Sequence, residues 1–149
     1  MRKKKQNIIF EKLEITGAGA KGKSIAKAPD GKVIFINNAV PGDVADIRTT
    51  KKKRSFYEGT AIHFHEYSTR RVEPVCQHFG TCGGCKWQFM GYEHQLQFKQ
   101  QEVENNLRRI GKVELPPITP ILGSADIYFY RNKMEFSFSD RRGLTLYEI

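Results

Sequence analysis

The chain has 149 residues, room for one ordinary domain or two small ones, and its 39% apolar content can fill a core but excludes a membrane-spanning architecture. Lys and Arg number 25 against 16 Asp and Glu, a formal charge of +9 that points toward polyanionic partners. The excess is uneven: 15 cations against 7 anions up to Arg70, a net of +8, then 10 against 9 from Arg71 onward. After the basic run Met1 to Lys5, only Ile8, Ile9 and Phe10 precede Glu11 and Lys12, too little for a secretory leader. A cytoplasmic protein with no membrane partner is expected.

Short segments of β character recur through the basic half between turn signals. They run over 8–15, 25–28, 33–36, 44–50 and 56–65, separated by Gly17 to Gly22, Pro29-Asp30-Gly31, Asn37 to Gly42, and Lys51 to Arg54. Strands this short and this regularly spaced predict a small closed barrel of the OB type over residues 6–67, with sheet edges removed and loops left for nucleic acid. Lys51, Lys52, Lys53 and Arg54 turn between two strands just ahead of Phe56 and Tyr57, so phosphate-binding cations stand beside rings on which bases can stack. A solvated loop that keeps a sheet edge soluble is the plainer account of such a run. Lys21 and Lys23, in a Gly-rich turn, are further RNA-binding candidates with the same alternative.

A boundary falls near residues 68–75, where Ser68 to Arg71 and Pro74 punctuate the chain. Beyond it lie the only three cysteines, as Cys76-x5-Cys82-Gly83-Gly84-Cys85. An odd number disfavours a disulfide framework, and the polar surroundings Gln77, His78, Thr81 and Lys86 are unlike those of buried core thiols. Close thiolates on one short loop suit an iron-sulfur cluster or structural zinc, and glycine lets the backbone approach the group. Three thiols are one ligand short of either site. For zinc, His78 or a residue from a partner could supply the fourth.

Tyr92, Leu96, Lys99, Val103, Leu107 and Ile110 step by three and four, predicting a helix over 92–110 with Gly91 as N-cap and Gly111 at C′. Leu115-Pro116-Pro117 and Pro120 then interrupt regular structure. β character returns over 127–130, and Met134, Phe136 and Phe138 alternate with polar residues to begin a hairpin returning over 144–149. Apolar strand character reaching the last residue is expected of a piece of a longer protein.

The order of these features resembles the start of the RNA uracil-5-methyltransferases that modify 23S ribosomal RNA and transfer RNA. The resemblance rests on a small basic barrel, Arg71-Val72-Glu73-Pro74, Cys76-x5-Cys82-Gly83-Gly84-Cys85-x2-Gln88, Tyr92-x2-Gln95-Leu96-x2-Lys99 and Tyr130-Arg131-Asn132-Lys133. Pro41-Gly42 before the fourth strand is similar to the family's N-terminal TRAM domain, an RNA-binding OB-like barrel. The resemblance implies that Cys76, Cys82 and Cys85 are three ligands of a four-iron four-sulfur cluster whose fourth cysteine lies past Ile149. Ribosomal RNA is expected ahead of transfer RNA as partner. Arg131 and Lys133, in Tyr130 to Lys133, are further RNA-binding candidates, with contact to the cluster or an ordinary charged strand surface as the alternatives. S-adenosylmethionine and the catalytic residues would belong to a domain not among these 149 residues, so 72–149 would be the cluster loop and the beginning of the central region, and the chain alone would be inert. The helix stripe, lacking its docking partner, would be open to self-association. A stand-alone RNA-binding adaptor with a metal knuckle is the alternative.

Overall fold

The computed structural model describes residues 7–81 and 83–133. The chain divides into two compact units, Met1–Arg71 and Val72–Ile149. The first is a six-stranded sheet built from β1 (Ile9–Glu14), β2 (Gly17–Gly19), β3 (Lys23–Lys27), β4 (Val33–Asn37), β5 (Val44–Lys52) and β6 (Phe56–Glu66). Its order is β1-β5-β6-β4-β3-β2, antiparallel except for the parallel pair β4/β6.

Period-two alternation decides what is buried. Ile34 and Ile36 of β4 and Ala45 and Ile47 of β5 point inward, and with Ile15, Ala26 and Tyr57 they form one core. Full burial of each isoleucine contributes about 1.5–3 kcal/mol. The expected full closure is not reached. β1 and β2 are the two outer strands of the ladder, yet they are consecutive and joined only by Ile15 and Thr16. This bent segment reaches both sides: Ile15 N–H donates to Asp43 O at 2.9 Å, and Thr16 N–H to Ile25 O at 2.9 Å. Two halves of one continuous strand cannot pair with each other, so the curl ends as an open ladder spanned by its own first strand.

The turn before β5 is held by a buried carboxylate. Asp43, fully buried, accepts from Val40 N–H at 2.7 Å and Ser68 N–H at 2.9 Å, and binds the Arg71 guanidinium through Nε at 2.8 Å and Nη2 at 2.7 Å. Gly42 precedes it at φ 97°, where a Cβ would lie 2.7 Å from Ser68 Oγ, so both handedness and space require glycine.

In the second unit α1 (Tyr92–Asn105) begins after Gly91 and runs into a wider π-type turn over Asn106–Ile110. Helical structure thus covers the expected 92–110, but its closure differs. Lys112 takes the left-handed conformation (φ 52°), whereas Gly111 stays right-handed at φ −70°. Glycine is needed at 111 for close approach instead: a Cβ there would sit 2.8 Å from Leu107 O. No residue of α1 is buried. A return segment runs back along it, with Ile121 N–H donating to Gln100 Oε1 and Ser124 N–H to the Tyr92 hydroxyl, each at 2.8 Å. The strand expected over 127–130 is absent, because Phe129 sits at φ 56°, outside extended geometry. The hairpin expected from 134 to 149 lies outside the described residues.

Candidate nucleic-acid interface and cysteine loop

β5 and β6 form a long hairpin whose tip carries the basic run. Lys51, Lys52, Lys53 and Arg54 are all exposed, with Lys51↔Glu58 and Lys52↔Tyr57 the last paired positions. The sheet brings Lys23 of β3 to the same place: its ammonium lies 2.9 Å from Glu58 Oε2, and that of Lys51 lies 3.8 Å from the same oxygen. Glu58 is held below the usual carboxylate range, first by the Lys23 hydrogen bond and then by the charges of Lys23, Lys51 and Lys53. Lys21 is exposed in the turn before β3, at φ 61°.

The two rings after the turn separate. Phe56 is half-buried and meets Phe35 edge-on at 5.5 Å. Tyr57 is 3% exposed, packs edge-on against Phe10 at 5.3 Å, and donates its hydroxyl to Asp30 Oδ2 at 2.8 Å. Its expected role as a stacking surface is therefore corrected. Adjacent strand residues face opposite ways, and Tyr57 is the one pointing into the core. The ring instead carries cations at its periphery, with Lys32 Nζ 5.2 Å and Lys52 Nζ 5.9 Å from its centroid. Lys32 also bonds Asp30 at 2.9 Å, and this pair together with the Tyr57 hydroxyl lowers the Asp30 pKa to about 2. Sequence reading missed Lys32 because it stands alone, 19 positions before Lys51; the parallel β4/β6 pairing brings its turn to Tyr57.

At the other end of β6, Tyr67 is 68% exposed and stacks on Phe64 at 5.1 Å. The Arg71 guanidinium lies 4.8 Å from the Phe64 centroid and 5.1 Å from that of Tyr67. His63 and His65 lie on β6 as surface residues, with His65 Nε2 2.7 Å from Asp46 Oδ1. Arg131 and Lys133 are exposed in the second unit.

In the cysteine loop Cys76 is exposed and Cys85 half-buried, both free thiols; Cys82 lies outside the described residues. Among the described residues no three His, Cys, Asp or Glu side chains are gathered as a metal-binding group. Gly83 is left-handed at φ 71°, as the tight loop requires. Gln88 links the two described cysteines: its Oε1 accepts from Cys76 N–H at 2.8 Å and its Nε2 faces Cys85 Sγ at 4.0 Å. From the helix, Gln95 Nε2 donates to Trp87 O at 3.1 Å and Met90 O at 2.8 Å. Soft, unpaired thiols with an amide donor at one sulfur are a donor set that fits an iron-sulfur or zinc site.

Residues 2–62 match the family model of the TRAM domain. A protein of Bacteroides thetaiotaomicron named an uncharacterized RNA methyltransferase is 56% identical over 130 residues, 87% of this chain and 28% of that protein. One of the same description from Chlorobaculum tepidum is 41% identical over 150 residues, covering 100% of this chain and 31% of its own. The 23S rRNA (uracil(1939)-C(5))-methyltransferase RlmD of Acidovorax is 35% identical over 139 residues, 90% of this chain and 29% of that protein. The chain belongs to this RNA methyltransferase family, as its N-terminal part. It spans under a third of the length of these relatives. The TRAM match places the curled six-stranded sheet among OB-like barrels.

Proposed function

We propose that this chain is the RNA-binding and cluster-holding part of an S-adenosylmethionine-dependent RNA uracil-C5 methyltransferase acting on ribosomal RNA. The observation that carries the RNA reading is the convergence of Lys23, Lys51 and Lys52 with the exposed tip Lys53-Arg54 at one end of the TRAM sheet. Such a rim tracks phosphates, releasing counterions from the RNA as it binds. Lys21 extends it, Phe56 offers a ring edge, and Tyr57 serves as scaffold beneath the cations. Arg131 and Lys133 add a second, separate contact.

Cys76, Cys82 and Cys85 hold a four-iron four-sulfur cluster, with a fourth ligand from beyond Ile149; zinc is the alternative occupant. When bound, the group would cross-link a loop that turn hydrogen bonds and the Gln88 side chain already shape. Thiols kept as ligands belong to a reducing cytoplasm. The chain assigns no residue to methyl transfer and is inert alone. Val103, Leu107 and Ile110 are exposed on the helix and would support self-association of the isolated chain.

The test is a Lys51→Ala, Lys52→Ala, Lys53→Ala triple variant, titrated with a 23S ribosomal RNA fragment over a range of salt. Affinity at low salt should fall, and the slope of log K against log salt should shrink by about 2, near 0.7 per lost single-strand phosphate contact. Unchanged affinity and slope would remove the hairpin from the interface. Iron and sulfide analysis after anaerobic purification decides the cluster reading, with stoichiometric zinc instead supporting a zinc knuckle.

A further inference from the structure

The side chain of Gln88 spans the cysteine loop. Its two ends meet groups on residues nine apart in sequence, the backbone N–H of Cys76 and the sulfur of Cys85. The first contact fixes the sense of the amide. Only the carbonyl oxygen can accept from Cys76 N–H, so the nitrogen, with its two hydrogens, is the end that faces Cys85 Sγ. A metal-bound thiolate sulfur carries more negative charge than a thiol and is the better acceptor for that N–H.

The position of Gln88 is itself fixed. Phe89 and Met90, which follow it, are buried, and Gln95 grips the carbonyls of Trp87 and Met90 on either side. The backbone that carries Gln88 is thus held in place by packing and hydrogen bonds that involve neither cysteine. This is how outer residues orient metal ligands before the metal arrives.

We propose that Gln88 is a positioning residue of the metal site: its carbonyl sets the Cys76 backbone and its N–H stabilises charge on the Cys85 sulfur. The proposal rests on the reading of the loop as a metal site, and it goes beyond that reading by assigning a residue that is not a ligand.

The experiment uses the full-length protein containing residues 1–149, purified and reconstituted anaerobically, as wild type, Gln88→Met and Gln88→Glu. Methionine matches the length of glutamine without donor or oxygen; glutamate keeps the acceptor for Cys76 N–H but loses the N–H at sulfur. Both variants should load metal to the wild-type stoichiometry. Gln88→Met should lose it to a competing chelator 10- to 100-fold more readily. Gln88→Glu should recover part of that retention, while the midpoint potential of the cluster falls in both variants, since neither has a donor to stabilise the reduced, more negative state.

Wild-type retention and potential in Gln88→Met would overturn the assignment and leave the metal site standing. A wild-type protein that takes up neither iron nor zinc would overturn both. A merely structural glutamine would lower the thermal stability of the metal-free protein while leaving potential and chelator resistance of the loaded form unmoved, and that result would also refute the proposal. Should Gln88→Met fail to fold, Gln88→Glu retains the loop-closing bond and carries the potential measurement by itself.

Discussion

Asp43→Ala removes the acceptor that ties the turn before β5 to Ser68 and Arg71, just past the end of β6. Two backbone donors, Val40 N–H and Ser68 N–H, lose their partner, and the Arg71 guanidinium loses a bidentate counter-ion. Asp43 has no solvent exposure and the Arg71 side chain is 22% exposed, so water replaces these bonds poorly. Breaking a buried pair from one side costs about 3–5 kcal/mol, and an orphaned buried donor about 1–3 kcal/mol. These overlap, and about 4 kcal/mol is the working figure. A unit of this size has a net stability of roughly 4–11 kcal/mol at the usual value per residue, so the variant should be close to unfolding. Urea titration followed by far-UV circular dichroism measures the loss. The double variant Asp43→Ala, Arg71→Met removes the stranded cation as well, and should be more stable than the sum of the single changes by about 1–3 kcal/mol. A loss below about 1 kcal/mol for Asp43→Ala, or strict additivity in the double variant, would refute the buried-anchor account.

Two further outcomes follow from the basic end of the sheet. The Asp30 pKa is lowered from 3.8 to about 2 by Lys32 and the Tyr57 hydroxyl, so its stabilising effect is present above pH 3.8 and lost as the pH falls toward 2. Asp30→Asn should flatten the stability curve in that window when unfolding is followed at stepped pH, and an unchanged acid limb would show that the carboxylate does not couple to folding. Glu58→Gln removes the anion shared by Lys23 and Lys51. RNA affinity at low salt should rise and its salt dependence steepen, measured by fluorescence anisotropy; weaker binding would mean that Glu58 positions the lysines instead of neutralising them.

Where the fold was legible in the sequence, a local signal and the tertiary outcome agreed. Alternation in Val33 to Asn37 and Val44 to Thr50, bounded by Pro and Gly, marks β4 and β5, and the three-four stepping marks the helix after Gly91. β2 was missed because Gly17-Ala18-Gly19 has no side chains that distinguish strand from turn; it becomes a strand by pairing with Lys23 to Ile25. The expected strand at 127–130 failed for the opposite reason. Its residues favour β structure, but propensity does not supply a partner, and the backbone at Phe129 leaves the extended region. Asp43 could not be read at all, since one carboxylate beside Pro41-Gly42 announces neither its burial nor its bond to Arg71, 28 positions away.

The candidate site was legible in its charge and not in its geometry. Four consecutive cations at a hairpin tip must be exposed, because a two-stranded turn has nowhere to bury them. The error over Tyr57 was avoidable from the same premise. If Phe56 and Tyr57 begin a strand, period two sends their rings to opposite faces, so a basic turn followed by two aromatics offers solvent at most one of them. The hydroxyl decides which ring can be the buried one with a partner in reach: Asp30 stands at the tip of the neighbouring turn and accepts from it, while Phe56 needs no such acceptor. That bond also fixes Lys32 beside the ring and so adds a cation to the rim that the hairpin began. On the proposed RNA-binding reading, an aromatic expected to touch a base would contribute by holding charge in place, and the rim it supports would read phosphate positions more than base faces.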